Sequence, residues 1–465
     1  MIAPDMPFDA AEQIHRTSLE LLQDPGVRLE HDEIFQLALS RGARAGSGAQ
    51  VVRIPREMVG EALDLCPKHF PLCDRIGRPI ELSAEGESCF WSVPGMSIWK
   101  GGTHRPFNSG DMAEMARLLD QLENVSVIFG MAMDDIPPAA RDVVGLKIMA
   151  LNSRKHLRVL CFTPRGAETL KSMKPIVGDY PWFSIGFTAH GPLRWTHLAL
   201  DIFKNTAGAG IPATINGEPM AGTSAPITLA GAAAVGNAEI LAGIVVNQLL
   251  EPGRPCIYNL GLAHIFDMRT AIAVTGAPEN ALLASASAVM GRYYRLPSAS
   301  WVSTEAMLPD SQAALEKMFS FHAHLSSGVS CIWGIGQLES ELTISPAQAV
   351  IDDEMISYIR RFQRGFQVDS DSLALEAIRE VGIGGSFLET GHTLSRCRTE
   401  FFQPSLSCRI GRGRWVREGA KRMDERAEEA ADRLINTPVE NGLSHEQQKE
   451  LERISDSFLR QSEVF

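Results

Sequence analysis

Four carboxylates and four tryptophans carry most of the chemistry open to this chain. Glu218 lies in the run Asn216-Gly217-Glu218-Pro219, while Glu305, Glu339 and Glu341 follow other short apolar runs. Trp91, Trp99, Trp301 and Trp333 fall in or beside such runs, with Phe90 and Phe187. An aromatic face is electronegative, so each ring can stabilise a quaternary ammonium by about 0.5 to 2 kcal/mol. A carboxylate beside the rings adds Coulombic attraction and orients the cation. Each residue also has a plainer use: tryptophans fill cores, and Glu305 or Glu341 can bond a loop amide or an arginine. Glu218, inside the most distinctive stretch of the chain, is the carboxylate expected to meet a ligand. His190 closes an apolar run and is expected at the same rim. His322 and His324 are two apart on a helical stretch and point apart, which argues against shared metal ligation. The eight cysteines show no CxxC spacing and several sit in apolar runs, so buried reduced thiols are expected and a metal site is not. No Gly-x-Ser-x-Gly elbow supports a serine nucleophile.

These residues need a frame, and the pattern supplies one. From Pro212 to Val245 the chain passes from a β-prone run through a loop at Gly222-Thr223-Ser224 into a long Ala/Leu/Ile-rich helix. Strand, polar loop and apolar helix make the repeating unit of a (β/α) barrel, whose loops at the strand C-termini hold ligands. Asn216 and Glu218 are expected at that edge. Short strands are expected at VSVIFGM, LRVLCF, WFSIGFTA, PATING, PCIYNL, LPSASWV and SCIWGIG, with helical runs between them. Seven such strands, with an eighth not placed, predict an α/β fold: a TIM (β/α)8 barrel with an N-terminal helical extension and C-terminal helices. The expected division is 1–110 for a helical region with an aromatic β segment, 111–410 for the barrel and 411–465 for charged helices. Ser444 and Gln447 have the spacing of a capping box at the start of the last helix. No dinucleotide fingerprint or phosphate loop is present.

At 465 residues the chain suits a barrel of roughly 250 residues with extensions. Its 45% hydrophobic and 22% charged content describes a globular protein. A net charge of −12 argues against a nucleic-acid surface. The nearest approach to a membrane span is the helix after Thr228, which Asn237, Glu239, Asn247 and Gln248 interrupt. The first residues, MIAPDMPFDAAEQIH, lack the basic and apolar regions of a secretory signal, so a cytoplasmic location is expected.

The wording Glu-Pro-Met-Ala-Gly-x-x-x-Pro-x-Thr-Leu-Ala-Gly at Glu218–Gly231 resembles the trimethylamine methyltransferase family. The resemblance extends to IHRTSLELLQDPGVRLEHDEIFQLALSRGA, LPDSQAALEKM, QLESELTISPAQAVIDDEM and VGIGGSFLETGHTLSRCRTEFFQP. It implies a TIM barrel that presents an amine at its mouth to a separate corrinoid protein, with methyl transfer to Co(I). The founding members carry pyrrolysine in the barrel, whereas SASWVSTEAMLPDSQ, which would align there, has only standard residues. The branch without pyrrolysine resembles glycine betaine methyltransferase, and a quaternary amine suits it: losing methyl leaves a neutral tertiary amine with no proton to transfer. On this resemblance Trp91, Trp99, Trp301 and Trp333 would form a partial cage and Glu218 would help place the substrate. A betaine carboxylate would need a partner, for which Asn216, His190 and Gln337 are candidates; no arginine stands out. The charged C-terminal helices make a homo-oligomer plausible. Two other uses of the residues stay open: a barrel lyase or hydrolase pairing Glu218 with Glu305, and a quaternary-amine binding protein without catalysis.

Overall fold

The computed structural model describes residues 8–462; the N-terminal residues read above for a signal lie partly outside this range. Eight parallel strands close a barrel in strict chain order. They are β1 (Cys89–Ser92), β2 (Val125–Phe129), β3 (His156–Arg158), β4 (Phe183–Thr188), β5 (Ala213–Asn216), β6 (Cys256–Gly261), β7 (Ser298–Trp301) and β8 (Cys331–Ile335). Seven of them are the strands expected from the apolar runs. The eighth is β1, inside the aromatic segment that precedes them, and it pairs with β8 to close the ring through Trp333↔Trp91.

Each strand feeds a helix on the outside: α1 (Ser109–Gln121), α2 (Arg141–Asn152), α3 (Pro164–Val177), α4 (His197–Thr206), α5 (Leu229–Leu250), α6 (Pro278–Tyr294), α7 (Ser311–Ser326) and α8 (Pro346–Gln363). Their starts are written in the sequence. Asn108 and Asp111 form a reciprocal capping box on α1, and the Thr163, Asp310 and Ser345 side chains cap α3, α7 and α8. α5 is apolar on every side because it is covered on every side. The N-terminal helix Phe8–Gln23 and the helix Arg56–Leu65 lie over it, shielding it from water. Its Asn237 donates to Ser18 Oγ and Tyr294 Oη, both at 2.9 Å, which ties the N-terminal region to the barrel wall. Among the described residues α5 is the one helix long and apolar enough to cross a membrane, and 83% of that stretch is buried in this protein.

Beyond α8 come α9 (Leu375–Val381), α10 (Gly391–Glu400), α11 (Arg412–Arg417), α12 (Met423–Ile435) and α13 (His445–Ser462). α12 packs on α8 and α1, and α13 on α2 and α3. Both charged helices therefore return to their own barrel. The capping box forms: the Ser444 amide donates to Gln447 Oε1 and the Gln447 amide to Ser444 Oγ.

Candidate active site

A cavity of about 360 Å³ opens at the carboxyl ends of β2–β5 and β8. Its wall holds Arg158, Cys161, Asn216, Glu218, Trp333 and Glu341, with His190 on the lip. That is the size of a small-ligand site, in the place where barrels put one.

Arg158, the last residue of β3, was not singled out in the sequence and dominates the cavity. Its side chain is buried, and among the described residues neither Nε nor Nη1 has a hydrogen-bond partner. The guanidinium lies 5.2 Å from the Phe129 ring centroid and 5.9 Å from that of Trp333. Burial pushes its pKa down to about 9, and the titratable group acting on it is the Cys161 thiol rather than any carboxylate. Room for it comes from β4: a Cβ on Gly186 would stand 1.6 Å from Arg158 Nη2. Gly186→Ala is accordingly expected to displace the guanidinium and weaken ligand binding about tenfold or more, with the fold retained by circular dichroism. Unchanged affinity in that variant would mean that Arg158 is not a ligand contact.

The opposite charge enters from other loops. Glu218, in the loop from β5 to α5, faces the cavity with no hydrogen bond or ion pair among the described residues, and burial pushes its pKa up to about 7. Glu341, between β8 and α8, is raised to about 8 by burial and then by the charge of Glu218. Glu239 on α5 lies behind them: its Oε1 accepts from the Leu193 amide at 2.9 Å, Oε2 has no partner, and burial with Glu218's charge raises it to about 7. Three carboxyls thus crowd one side of the site without a cation of their own among the described residues.

Glu341 reaches the cavity through a strained turn. Glu339, Ser340 and Glu341 all have positive φ, at 52°, 49° and 80°, a sequence of left-handed conformations that non-glycine residues adopt at a cost. The turn is pinned from β7α7 by the Glu339 and Ser340 amides, which donate to Ala306 and Thr304 carbonyls at 2.9 Å. Glu305 helps: its carboxylate accepts from the Thr275 and Gly276 amides at 2.6 and 2.9 Å and from Ser340 Oγ at 3.3 Å.

Several residues expected at the rim lie elsewhere. Trp333 faces the cavity, stacked on Trp91 with centroids 5.6 Å apart, but Trp91 is wholly buried beneath it and its Nε1 donates to Cys89 Sγ. Trp301 is buried and donates to Gln337 Oε1 at 2.7 Å, and Gln337 donates on to Ser303 Oγ, so neither faces the cavity. Trp99 sits on a hairpin, packed on Ala306, Ala313 and Leu338. A four-tryptophan cage is therefore not assembled, because β1, β7 and the hairpin direct three of the rings into packing. Glu305 is a loop clamp and cannot pair with Glu218 across the cavity. Asn216 is on the wall, but its amide donates to Thr188 Oγ1 and accepts from Asn259, both at 3.0 Å. His190 is exposed on the lip and donates from Nδ1 to the Thr188 carbonyl. Glu341 moves the other way, from an expected structural bond into the site.

Of the cysteines, five are buried and Cys161 is at the cavity, whereas Cys397 and Cys408 are exposed, unlike the buried thiols expected. Among the described residues one trio has metal-ligating composition: His31 and His197, each with Nε2 3.0 Å from the Asp201 carboxylate. The carboxylate satisfies both rings as they stand.

A closed parallel barrel with a charged, ligand-sized cavity at its strand C-termini has the architecture of a barrel enzyme. A family model described as trimethylamine methyltransferase (MTTB) matches residues 4–461. Similar proteins include the trimethylamine methyltransferases of Methanosarcina barkeri (strain Fusaro), 29% identical over 97% of this chain and 95% of that one, and of Desulfitobacterium hafniense (strain DCB-2), 30% identical over 91% and 87%. A glycine betaine methyltransferase of Desulfitobacterium hafniense (strain Y51) is 29% identical over 88% of both chains. The solved monomethylamine methyltransferase of Methanosarcina barkeri shares the fold, with a TM-score of 0.52 over 99% of this chain and 90% of that one at 11% identity. The chain belongs to the trimethylamine methyltransferase family and is a methyltransferase.

Proposed function

We propose that this enzyme moves a methyl group from a carboxylate-bearing quaternary amine, glycine betaine or a related betaine, to Co(I) of a corrinoid held by a separate carrier protein. One observation carries the reading: the cavity has a buried, unpaired guanidinium on β3 and unpaired carboxyls on the loops after β5 and β8. A zwitterion satisfies both. Trimethylamine or choline would leave Arg158 buried without a counter-ion, which is unfavourable. The likeness to a glycine betaine methyltransferase supports the same substrate class.

Arg158 donates paired N–H bonds to the substrate carboxylate, a geometry for which guanidinium is well suited. That anchors one end and directs the ammonium toward Glu218, Glu341 and the face of Trp333. Co(I), brought to the mouth by its carrier, supplies the electron pair that takes the methyl group. The C–N bond breaks with its electrons kept on nitrogen, so the product is a neutral tertiary amine and no proton moves. The protein's task is to orient the cation, exclude water and leave one methyl facing out. A full negative charge held against the ammonium would stabilise the substrate more than the transition state, in which positive charge is leaving nitrogen. Carboxyls with pKa values of about 7 and 8 moderate that effect. At the cavity Phe162 and Leu198 are exposed apolar side chains, a surface suited to a docking carrier and its macrocycle.

The test follows the Co(I) absorbance of reduced cobalamin, free or on a carrier, with glycine betaine, proline betaine, carnitine, choline and trimethylamine. Loss of the band with a betaine, and not with choline or trimethylamine, is expected. Loss with trimethylamine alone would overturn the substrate class, and no loss with any member would overturn the reaction.

A further inference from the structure

We infer that His31, His197 and Asp201 form a binding site for a divalent transition-metal ion of the zinc class. The ligands come from two parts of the chain that main-chain bonds hold in register. The strand Val27–Leu29 pairs in parallel with Arg194–Trp195, through Arg28↔Arg194 and Leu29↔Trp195. Two residues beyond that ladder on each side stand His31 and His197, their rings stacked with centroids 5.1 Å apart. Asp201 follows His197 by four residues on α4, so the two side chains share one face of the helix. Its two carboxylate oxygens each lie 3.0 Å from the Nε2 of one ring, and among the described residues no lysine or arginine pairs with it.

His197 Nδ1 faces the Glu30 carbonyl at 3.0 Å, and a carbonyl only accepts, so Nδ1 carries the ring's hydrogen. Nε2 of the neutral ring then turns a lone pair toward a carboxylate oxygen 3.0 Å away. A cation must lie between them, either a proton or a metal ion. A proton joins the carboxylate to one ring, whereas a metal ion joins it to both. A backbone carbonyl on Nδ1 is also a common way of orienting a ligating histidine. His31 needs one change. Its Nδ1 accepts from the Ile34 amide at 3.4 Å, the longest contact in the cluster, and gives that up when Nε2 turns to the metal. The three ligand atoms lie within 4.8 Å of one another, and a tetrahedral ion with bonds of about 2.0 to 2.2 Å sets them about 3.3 Å apart. His31 is buried, Asp201 half-buried and His197 exposed, so the ion enters from solvent and keeps water as its fourth ligand. Two imidazoles and one carboxylate suit zinc better than the hard cations magnesium and calcium. Bound there, the ion clamps the N-terminal region on α4, which with Thr196 supplies Leu198, Ala199 and Ile202 to the cavity wall.

Calorimetric titration of zinc into the untagged, chelator-treated full chain tests this directly. One ion per chain is expected, with the thermal midpoint raised by about 3 °C at a hundredfold excess over Kd. His197→Ala removes an exposed side chain and should leave the circular dichroism unchanged while weakening zinc binding about a hundredfold or more. Asp201→Asn keeps the shape of the side chain without its charge and should weaken binding comparably. No zinc uptake, or uptake that both variants leave unchanged, overturns the inference. So does an equal rise in midpoint with magnesium, since a hard cation would then be acting on surface carboxylates. None of these readouts depends on which amine is demethylated.

Discussion

Arg158→Leu should raise the Kd for a betaine about a hundredfold while leaving the affinity for choline unchanged or improved. The size follows from removing one partner of a buried, hydrogen-bonded charge pair, which costs about 2 to 5 kcal/mol because the ligand carboxylate is left desolvated and alone. Arg158→Lys should recover part of it, since an ammonium keeps the charge but not the paired N–H geometry. The same substitution should not harm the fold. Arg158 is buried with no counter-ion, and its pKa is pushed down to about 9. For a base whose folded pKa is depressed, the unfolded chain binds the proton more readily, so its penalty on stability is present in full below pH 9. Leucine removes that penalty, and the thermal midpoint of Arg158→Leu at pH 7 should equal or exceed that of the wild type. Titration calorimetry and a melting curve decide it. Equal losses for betaine and choline, or a large fall in melting temperature, would reduce Arg158 to a structural residue.

The barrel was legible because its strands are short apolar runs separated by helical stretches, a pattern that does not depend on knowing the partners. β1 was not placed because Cys89–Ser92 stands directly before the hairpin of Ser97–Lys100 and Thr103–Pro106, so two kinds of β structure merge into one aromatic segment. Glu218 was readable since strand, glycine-bearing loop and helix locate it at the rim whatever the rest of the chain does. Arg158 was not. It stands inside LRVLCF, an apolar run, and its meaning depends on Gly186 of the next strand and on the absence of a carboxylate near it, neither of which is local. The tryptophans failed for a related reason: alternation along a strand gives the side of the barrel, but register decides depth, and Trp91 lies under Trp333 although the two are paired across β1 and β8. Glu341 depended on three consecutive left-handed residues held by contacts from β7α7, which no local preference of Glu-Ser-Glu announces.

The carboxyl side of the site makes the second large effect a matter of pH. Glu218 and Glu341 act on one another, and Glu218 acts on Glu239, so the three titrate as a set near pH 7 to 8. In the free protein they are largely protonated at pH 6 and ionised at pH 9. A quaternary ammonium has a fixed charge, so any dependence of its binding on pH across this range comes from the protein. Binding favours the ionised carboxylates, and affinity should therefore tighten about tenfold between pH 6 and 8, below the range in which Arg158 loses its proton, with protons released near neutrality. Turnover at saturation should not rise with it, because carboxylate charge stabilises the bound cation at least as well as the transition state. The folded protein responds in the reverse sense. Carboxyls whose folded pKa is raised support the fold below their unfolded value near 4.5 and withdraw that support as pH rises through 7 to 8. Glu218→Gln with Glu341→Gln should consequently melt higher than the wild type at pH 8.5 and match it at pH 4.5, while its cation affinity becomes weak and nearly flat with pH. Calorimetry in buffers of different ionisation enthalpy counts the protons. A wild-type affinity independent of pH between 6 and 8, with no proton released, would show that these carboxyls do not meet the cation, and the polarity assigned to the cavity would have to be reversed or abandoned.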